Sequence, residues 1–334
     1  TMAASASNLR ARRRSASTRL GHRERLEVLA QMRERYAAAE DFFRAPRPLV
    51  GLAEAVQRDE QGSRVVDLRW DSDDSTFLPE LRERYHRRPA NQRAAARLWL
   101  HTDEPRPAMV LIHGYLAGQH SVEERLWPSR WLHHRLGLDL AFFVLPFHGV
   151  RASSRRLMRT PPFPAADPRV TNEGFRQAIG DLMDLMSWLR ARGAPHVGVM
   201  GMSLGGYTTA LMATVAPVDF AVPVIPLTSL ADFARDQGRL GHTPEEEALE
   251  HAALDAVHHV ISPLHRPPLV GPERVMIVAA EADRITPIRH AERLAEHFAV
   301  PLHTFHGGHL LQFGRKDALR RIGPLLRGLG VISV

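Results

Sequence analysis

The sequence of 334 residues contains no cysteine. That absence excludes disulfide bonds, metal sites built on thiolates and a cysteine nucleophile. No run of about 18 apolar residues occurs either, so the sequence predicts no transmembrane helix. Its basic N-terminal part lacks the apolar core that a secretory signal needs, and we therefore predict a cytoplasmic protein. Lysine is nearly absent, because Lys316 is the single lysine and arginine supplies the rest of the positive charge.

The remaining composition is that of a globular protein, with 44% hydrophobic and 24% charged residues and a formal net charge of +7. No nucleic-acid-binding motif accompanies this charge, so we predict no nucleic-acid partner. Two interpretations of the basic residues stay open. They form a solvated surface, or they support weak association with an anionic membrane surface.

The order of apolar segments predicts an α/β protein. From about residue 108 onward, short apolar runs alternate with segments of helical periodicity, which indicates right-handed crossovers and a mostly parallel sheet. The runs 64–70 and 94–101 come earlier and are predicted to form antiparallel strands at the sheet edge. Residues 1–60 are predicted to be an N-terminal extension, with a disordered start to about residue 18 and a helix over 20–43.

The segment 196–208, HVGVMGMSLGGYT, carries the strongest motif. It predicts a strand, a sharp turn at Ser203 and a helix. Glycines at 201 and 205 allow this turn without Cβ clashes, so the serine hydroxyl becomes exposed. The N–H of Leu204 at the helix start is then well placed to donate to a developing oxyanion.

Two later segments supply an acid and a histidine. Asp283 follows the predicted strand 274–280, and the sequence His306-Gly307-Gly308-His309 follows the predicted strand 301–305. With G-x-S-x-G preceding both, the sequence resembles the α/β-hydrolase superfamily, of the serine esterase and lipase type, over about residues 95–330. The resemblance implies a catalytic triad of Ser203, Asp283 and His309. His306 remains the alternative to His309.

The resemblance also implies a domain organisation. Residues 61–334 would form the α/β-hydrolase domain, with a mostly parallel central sheet flanked by helices. A lid insertion is expected at 227–270, between the predicted strands 220–225 and 274–280, because this connection commonly carries a lid in the fold. One apolar helix face within it is suited to wall an acyl pocket.

Further site residues are expected in two loops. The family places its second oxyanion donor just after a His-Gly pair, which makes the backbone N–H of Tyr115 the candidate and Leu116 its alternative. His148 and Arg151 follow the predicted strand 140–145 and are candidate substrate-binding residues, since α/β sheets bind ligands at this end of their strands. The competing interpretations are a histidine that braces the loop and an arginine-rich surface loop that includes Arg155 and Arg156.

The chemistry implied is hydrolysis of a small-molecule carboxylic ester through an acyl-enzyme, as in esterases and lipases. An acyltransferase, a thioesterase and a peptidase are alternatives on the same triad. A non-catalytic interaction protein on a hydrolase scaffold is an alternative of another class. We predict no cofactor and no metal ion.

Overall fold

The computed structural model describes residues 20–37, 39, 41–60, 62–72, 75–152 and 160–333. The predicted disordered start and the arginines Arg155 and Arg156 lie outside the described residues. The described chain divides into two compact units, residues 20–37 with 230–258 and residues 39–229 with 259–333. Within the described ranges, no helix is long and apolar enough to cross a membrane.

One sheet dominates the larger unit. Its nine strands, counted over the described residues, lie in the order β1-β2-β3-β5-β4-β6-β7-β8-β9. The strands are β1 (Ala53–Glu60), β2 (Ser63–Asp71), β3 (Arg93–His101), β4 (Ala108–Ile112), β5 (Asp139–Phe143), β6 (Val197–Met202), β7 (Ala221–Val224), β8 (Ile277–Ala280) and β9 (Leu302–Phe305). Strands β4 to β9 pair in parallel, whereas β1, β2 and β3 pair antiparallel and β3 joins β5 antiparallel. The predicted mostly parallel sheet is thus confirmed.

The sequence analysis did not predict β1, which lies within the proposed N-terminal extension. Its sequence, AEAVQRDE, shows no sustained apolar alternation, and every residue of the strand is exposed. A strand that buries neither face leaves little hydrophobic pattern to detect. Backbone pairing with β2 holds it in the sheet.

The helices are α1 (His22–Tyr36), α2 (Arg82–His86), α3 (His120–Leu126), α4 (Pro168–Ala191), α5 (Leu204–Val215), α6 (Leu230–Asp236), α7 (Pro244–His258), α8 (Arg289–Phe298), α9 (Arg315–Arg320) and α10 (Ile322–Gly328). The smaller unit consists of α1, α6 and α7. Within it, the buried carboxylate of Glu250 pairs with His22 at 3.0 Å and Arg25 at 2.8 Å. The predicted N-terminal helix and the central part of the predicted lid therefore form one unit, whereas residues 259–270 belong to the larger one.

Helix α4 carries buried carboxylates that bind the chain preceding the parallel strands. Glu173 accepts the backbone N–H groups of Phe77 and Leu78 at 3.0 and 2.8 Å. Asp184 accepts both terminal nitrogens of Arg44, at 2.8 and 2.6 Å, and the Arg47 N–H at 2.8 Å. Because a buried carboxylate needs such partners, these acids hold two short segments, residues 44–47 and 77–78, against α4.

Replacing Asp184 with Ala should destabilise the larger unit. The change leaves the Arg44 guanidinium, whose side chain is 18% exposed, without its carboxylate, and we expect a loss of about 3 kcal/mol in the free energy of unfolding. Asp317→Ala is the control, since the Asp317–Arg320 pair is largely exposed and should contribute less than about 1 kcal/mol. Chemical denaturation measures both, and equal losses would contradict the assignment.

Candidate active site

Ser203 occupies the turn between β6 and α5. Its backbone has φ 58° and ψ −113°, a conformation that residues other than glycine rarely adopt and that often marks functional sites. A Cβ on Gly201 would lie 2.1 Å from the carbonyl oxygen of Gly205, and a Cβ on Gly205 would lie 2.1 Å from that of Ile112. The Ser203 N–H donates to the carbonyl of Val224 at 2.9 Å. Close backbone packing therefore holds the strained serine in place.

Asp283 and His309 come together from neighbouring loops. Asp283 follows β8, His309 follows β9, and these two strands pair in parallel. Nδ1 of His309 lies 2.7 Å from Oδ2 of Asp283. The two loops also bond to each other, since the Ala282 N–H donates to the carbonyl of Gly307 at 2.8 Å. The predicted acid and histidine thus form a hydrogen-bonded pair.

Several donors stabilise the ionised form of Asp283. Its Oδ1 accepts the N–H groups of Ile285 and Thr286 at 2.8 and 2.9 Å, and its Oδ2 accepts the Thr286 hydroxyl at 3.1 Å. Burial alone would raise the pKa of this carboxyl, but the hydrogen bond and charge of His309 and the two N–H groups outweigh burial. The net result is a lowered pKa, so the carboxylate can orient the imidazole of His309.

The alternative histidine has another partner. Nδ1 of His306 lies 2.6 Å from Oε2 of Glu281, and the side chain of His306 is 88% exposed. The side chain of His309 is 12% exposed. The geometry therefore favours His309 as the partner of Asp283.

Gln312 joins the His309 loop to the segment that carries the serine. Its Nε2 donates to the carbonyl of His309 at 2.7 Å and lies 3.4 Å from the sulfur of Met202, the residue before Ser203. The sequence analysis missed this glutamine, because no local pattern marks a bridge over 110 positions. It also missed Thr286, although an Asp that bonds the N–H groups two and three residues later is a recognisable turn signal.

The His-Gly loop after β4 approaches the same turn. A Cβ on Gly114 would lie 3.5 Å from Cβ of Ser203. Leu204 begins α5, so its N–H has no acceptor within the helix. Tyr115 follows Gly114 directly, and Leu116 adopts a positive φ of 67°. The N–H groups of Leu204 and Tyr115 remain the predicted oxyanion donors.

His113 stabilises this loop through hydrogen bonds of both ring nitrogens. Its Nδ1 is 2.7 Å from the carbonyl oxygen of Gly114, and its Nε2 is 3.0 Å from the N–H of Leu145. The carbonyl can only accept and the N–H can only donate, so Nδ1 carries the single proton of a neutral ring. Burial, with a smaller contribution from His148, lowers the pKa of His113 to about 3. His113 is therefore a structural link between the loops after β4 and β5.

His148 also lies buried, beside Tyr115. Nδ1 of His148 is 2.8 Å from the carbonyl oxygen of Pro146, and its ring makes an edge contact with Tyr115 at 5.9 Å between centroids. No described residue forms a hydrogen bond to its buried Nε2. Burial lowers its pKa to about 4. The hydrogen bond to Pro146 supports the bracing interpretation, and a role in substrate binding stays a prediction.

The prediction that Arg151 binds a substrate is not supported. Its side chain is fully buried, and Nη2 lies 2.8 Å from Oδ2 of Asp181 on α4. The guanidinium also donates to the carbonyls of Val144 and Asn91, both at 3.1 Å, and to the hydroxyl of Ser72 at 3.2 Å. A cation enclosed in this way serves the fold, since its charge is already paired inside the protein.

Solved structures share the fold that arranges these residues. Acetyl xylan esterase 1 from Thermoanaerobacterium sp. JW/SL YS485 matches 90% of this chain and 94% of its own, with a TM-score of 0.60 and 18% identity. Acetyl xylan esterase from Paenibacillus sp. R4 matches 90% of this chain and 92% of its own, with a TM-score of 0.56 and 15% identity. Prolyl oligopeptidase B from Galerina marginata matches 83% of this chain but only 38% of its own, with a TM-score of 0.53 and 15% identity. These neighbours are α/β-hydrolases, so the predicted α/β-hydrolase fold is confirmed.

Sequence relatives come from mycobacteria. The chain is 31% identical over 343 residues to the uncharacterized protein Rv2627c of Mycobacterium tuberculosis strain H37Rv, covering 97% of this chain and 80% of that protein. It is 32% identical over 305 residues to the uncharacterized protein MT2702 of strain CDC 1551, and this match covers 87% of this chain and 71% of that protein. The chain belongs to the family of these two proteins. No protein-family model matches it.

Gly205→Ala should disturb the serine turn. The added Cβ would meet the backbone oxygens of Ile112 and His113 at 2.1 and 2.7 Å, a clash that no side-chain rotation relieves, so we expect a loss of roughly 1–3 kcal/mol in stability. Labelling of Ser203 by a fluorophosphonate should slow as well. Gly328→Ala is the control, because a Cβ at this helical position meets nothing within 4 Å. Wild-type stability of Gly205→Ala would contradict the steric account.

Stability should fall with acid because histidines are buried in neutral form. For His148 the pKa is about 4 in the fold and 6.5 unperturbed, so between these values the unfolded chain binds a proton that the native protein does not. The contribution of the neutral ring to stability is then complete above pH 6.5 and decreases by about 1.4 kcal/mol for each pH unit between 6.5 and about 4. In His148→Phe, the unfolding free energy should depend less steeply on pH in this range, by about 1.4 kcal/mol per pH unit, which corresponds to one proton fewer bound on unfolding. An unchanged slope would show that the ring titrates alike in both states.

Proposed function

We propose that the protein is a serine hydrolase that cleaves a carboxylic ester through an acyl-enzyme. The observation that carries the proposal is the 2.7 Å hydrogen bond between His309 and Asp283, in loops linked through Gln312 to the strained turn at Ser203. A base that is oriented by an acid and lies within hydrogen-bond reach of a serine hydroxyl activates that hydroxyl, and the proposal assigns this role to His309.

The chemistry proceeds in two acyl transfers. His309 takes the proton of the Ser203 hydroxyl through Nε2 while Oγ attacks the carbonyl carbon, and Asp283 stabilises the imidazolium without taking its proton. The N–H groups of Leu204 and Tyr115 bind the oxyanion, a contribution of about 10²–10³ in rate for each donor. His309 then protonates the leaving alcohol, and a water molecule activated by the same imidazole releases the acid.

Coverage of the neighbours supports an ester over a peptide as substrate. The acetyl xylan esterases are matched over 92–94% of their lengths, whereas the prolyl oligopeptidase is matched over 38%. The region shared with the peptidase is therefore only part of that enzyme. Acyltransferase, thioesterase and peptidase activities use the same triad and remain alternatives.

The basic charge supports a solvated surface more than a binding surface. Four arginines of residues 82–97 form ion pairs, namely Arg84 with Asp167, Arg87 with Glu83, Arg93 with Asp71 and Arg97 with Asp67. Pairing of this kind lowers the charge available to an anionic membrane. Weak membrane association and a cytoplasmic location both stay predictions.

Ester turnover tests the proposal. With p-nitrophenyl esters of increasing acyl length, Ser203→Ala and His309→Ala should each lose activity by about 10³-fold or more, since the two groups act as one unit. His306→Ala is the matched control, because its exposed ring pairs with Glu281, and it should retain wild-type turnover. Labelling of Ser203 by a fluorophosphonate without ester turnover would point to one of the other acyl-transfer reactions. If the protein shows no labelling and no ester turnover, the proposal fails, and a non-catalytic interaction protein becomes the better interpretation.

A further inference from the structure

Four polar side chains from separate segments converge at the end of the sheet opposite to the serine turn. They are Ser63 at the start of β2, His101 at the end of β3, His133 in the π-helical turn Trp131–Arg135, and Asp139 at the start of β5. The β2–β3 register places Ser63 opposite His101. Ligand atoms of His101, His133 and Asp139 all lie within 4.8 Å of one another.

The hydrogen bonds of His133 leave one nitrogen directed at this cluster. Its Nδ1 is 2.8 Å from the carbonyl oxygen of Leu138, which can only accept, so Nδ1 carries the proton. Nε2 therefore presents a lone pair, which the Ser63 hydroxyl meets at 2.9 Å. A backbone carbonyl that fixes the tautomer in this way is typical of histidines that bind metals.

His101 and Asp139 complete the donor set. Asp139 Oδ1 accepts both the backbone N–H and the ring Nδ1 of His101, each at 2.8 Å. Within the described residues, no hydrogen bond reaches the second carboxylate oxygen, Oδ2. The ring of His101 lies against that of His133, with centroids 4.0 Å apart and planes inclined by 32°.

We propose that His101, His133 and Asp139 bind a divalent transition-metal ion, with Zn²⁺ as the ion that suits the set best. Two imidazole nitrogens and one carboxylate oxygen are a donor set that zinc accepts in four-coordinate sites. A water molecule takes the fourth position, and the Ser63 hydroxyl gives up its contact with Nε2 of His133 to the ion.

The distances require only a small closure. Zinc–ligand bonds of about 2.0–2.2 Å place tetrahedral ligand atoms roughly 3.4 Å apart, whereas the present atoms lie within 4.8 Å. The side chain of His101 is 15% exposed at the sheet end, so a rotation of its ring can bring the donors together. The ion would tie the end of β3, the start of β5 and the π-helical turn, and this role does not depend on the chemistry at Ser203.

Zinc titration in competition with a chromogenic chelator tests the proposal on the full chain after chelator treatment. We expect one tight site in the wild type, and affinity at least tenfold lower in His133→Gln and in Asp139→Asn. His134→Gln is the matched control, since this neighbouring histidine is exposed, and it should bind as the wild type does. Equal affinity in all four proteins would overturn the proposal by assigning the zinc to other histidines.

Two further measurements separate loss of a ligand from loss of the fold. Ser63→Ala keeps all three ligands and removes the hydroxyl that occupies Nε2 of His133, so it should bind zinc at least as tightly as the wild type. Co²⁺ added to the wild type should give the intense visible absorption of a four-coordinate site. Weaker zinc binding by Ser63→Ala together with the faint absorption of six-coordinate Co²⁺ would show that the cluster is a hydrogen-bond network only.

Discussion

The architecture depends on how closely backbone approaches backbone at the serine turn. Strands β4 and β6, helix α5 and the end of β7 meet there with no room for side chains, as shown by the 2.1 Å that would separate a Cβ on Gly205 from the oxygen of Ile112. Gly206 is similarly placed, with 2.9 Å to the carbonyl oxygen of Val224. Glycine at these positions lets α5 begin directly behind Ser203. The loop after β4 approaches the same point, since a Cβ on Gly114 would lie 3.5 Å from Cβ of Ser203.

The turn at Ser203 and the pairing of Asp283 with His309 both arise from local patterns in the sequence. Ser203 lies in a five-residue motif with a strand before it and a helix after it, so the elbow can be recognised without tertiary information. Asp283 and His309 each follow a short apolar run, and their pairing depends only on β8 and β9 being neighbours in a parallel sheet. The bond between them, at 2.7 Å, agrees with that expectation.

Residues whose role depends on distant segments were not predictable in the same way. Arg151 reads as a loop arginine, yet its partners Ser72, Asn91 and Asp181 come from three other parts of the chain. Burial decides the role of such a group, and burial is set by tertiary packing. The smaller unit illustrates the same limit, because α1 and α7 are joined through Glu250 across 228 positions. Helical periodicity predicts each helix separately but carries no information about which helices pair.

The exposed strand β1 has a consequence for how the sheet ends. Without it, β2 would be the edge, and its buried valines and open hydrogen-bonding groups would be a template for strands of other molecules. β1 instead carries Glu54, Arg58, Asp59 and Glu60, and its pairing is interrupted by a bulge between Val56 and Arg58. Charge and local twist are the features by which edge strands resist the addition of another chain. The strand with the weakest hydrophobic pattern thus helps to keep separate molecules from joining into a continuous sheet.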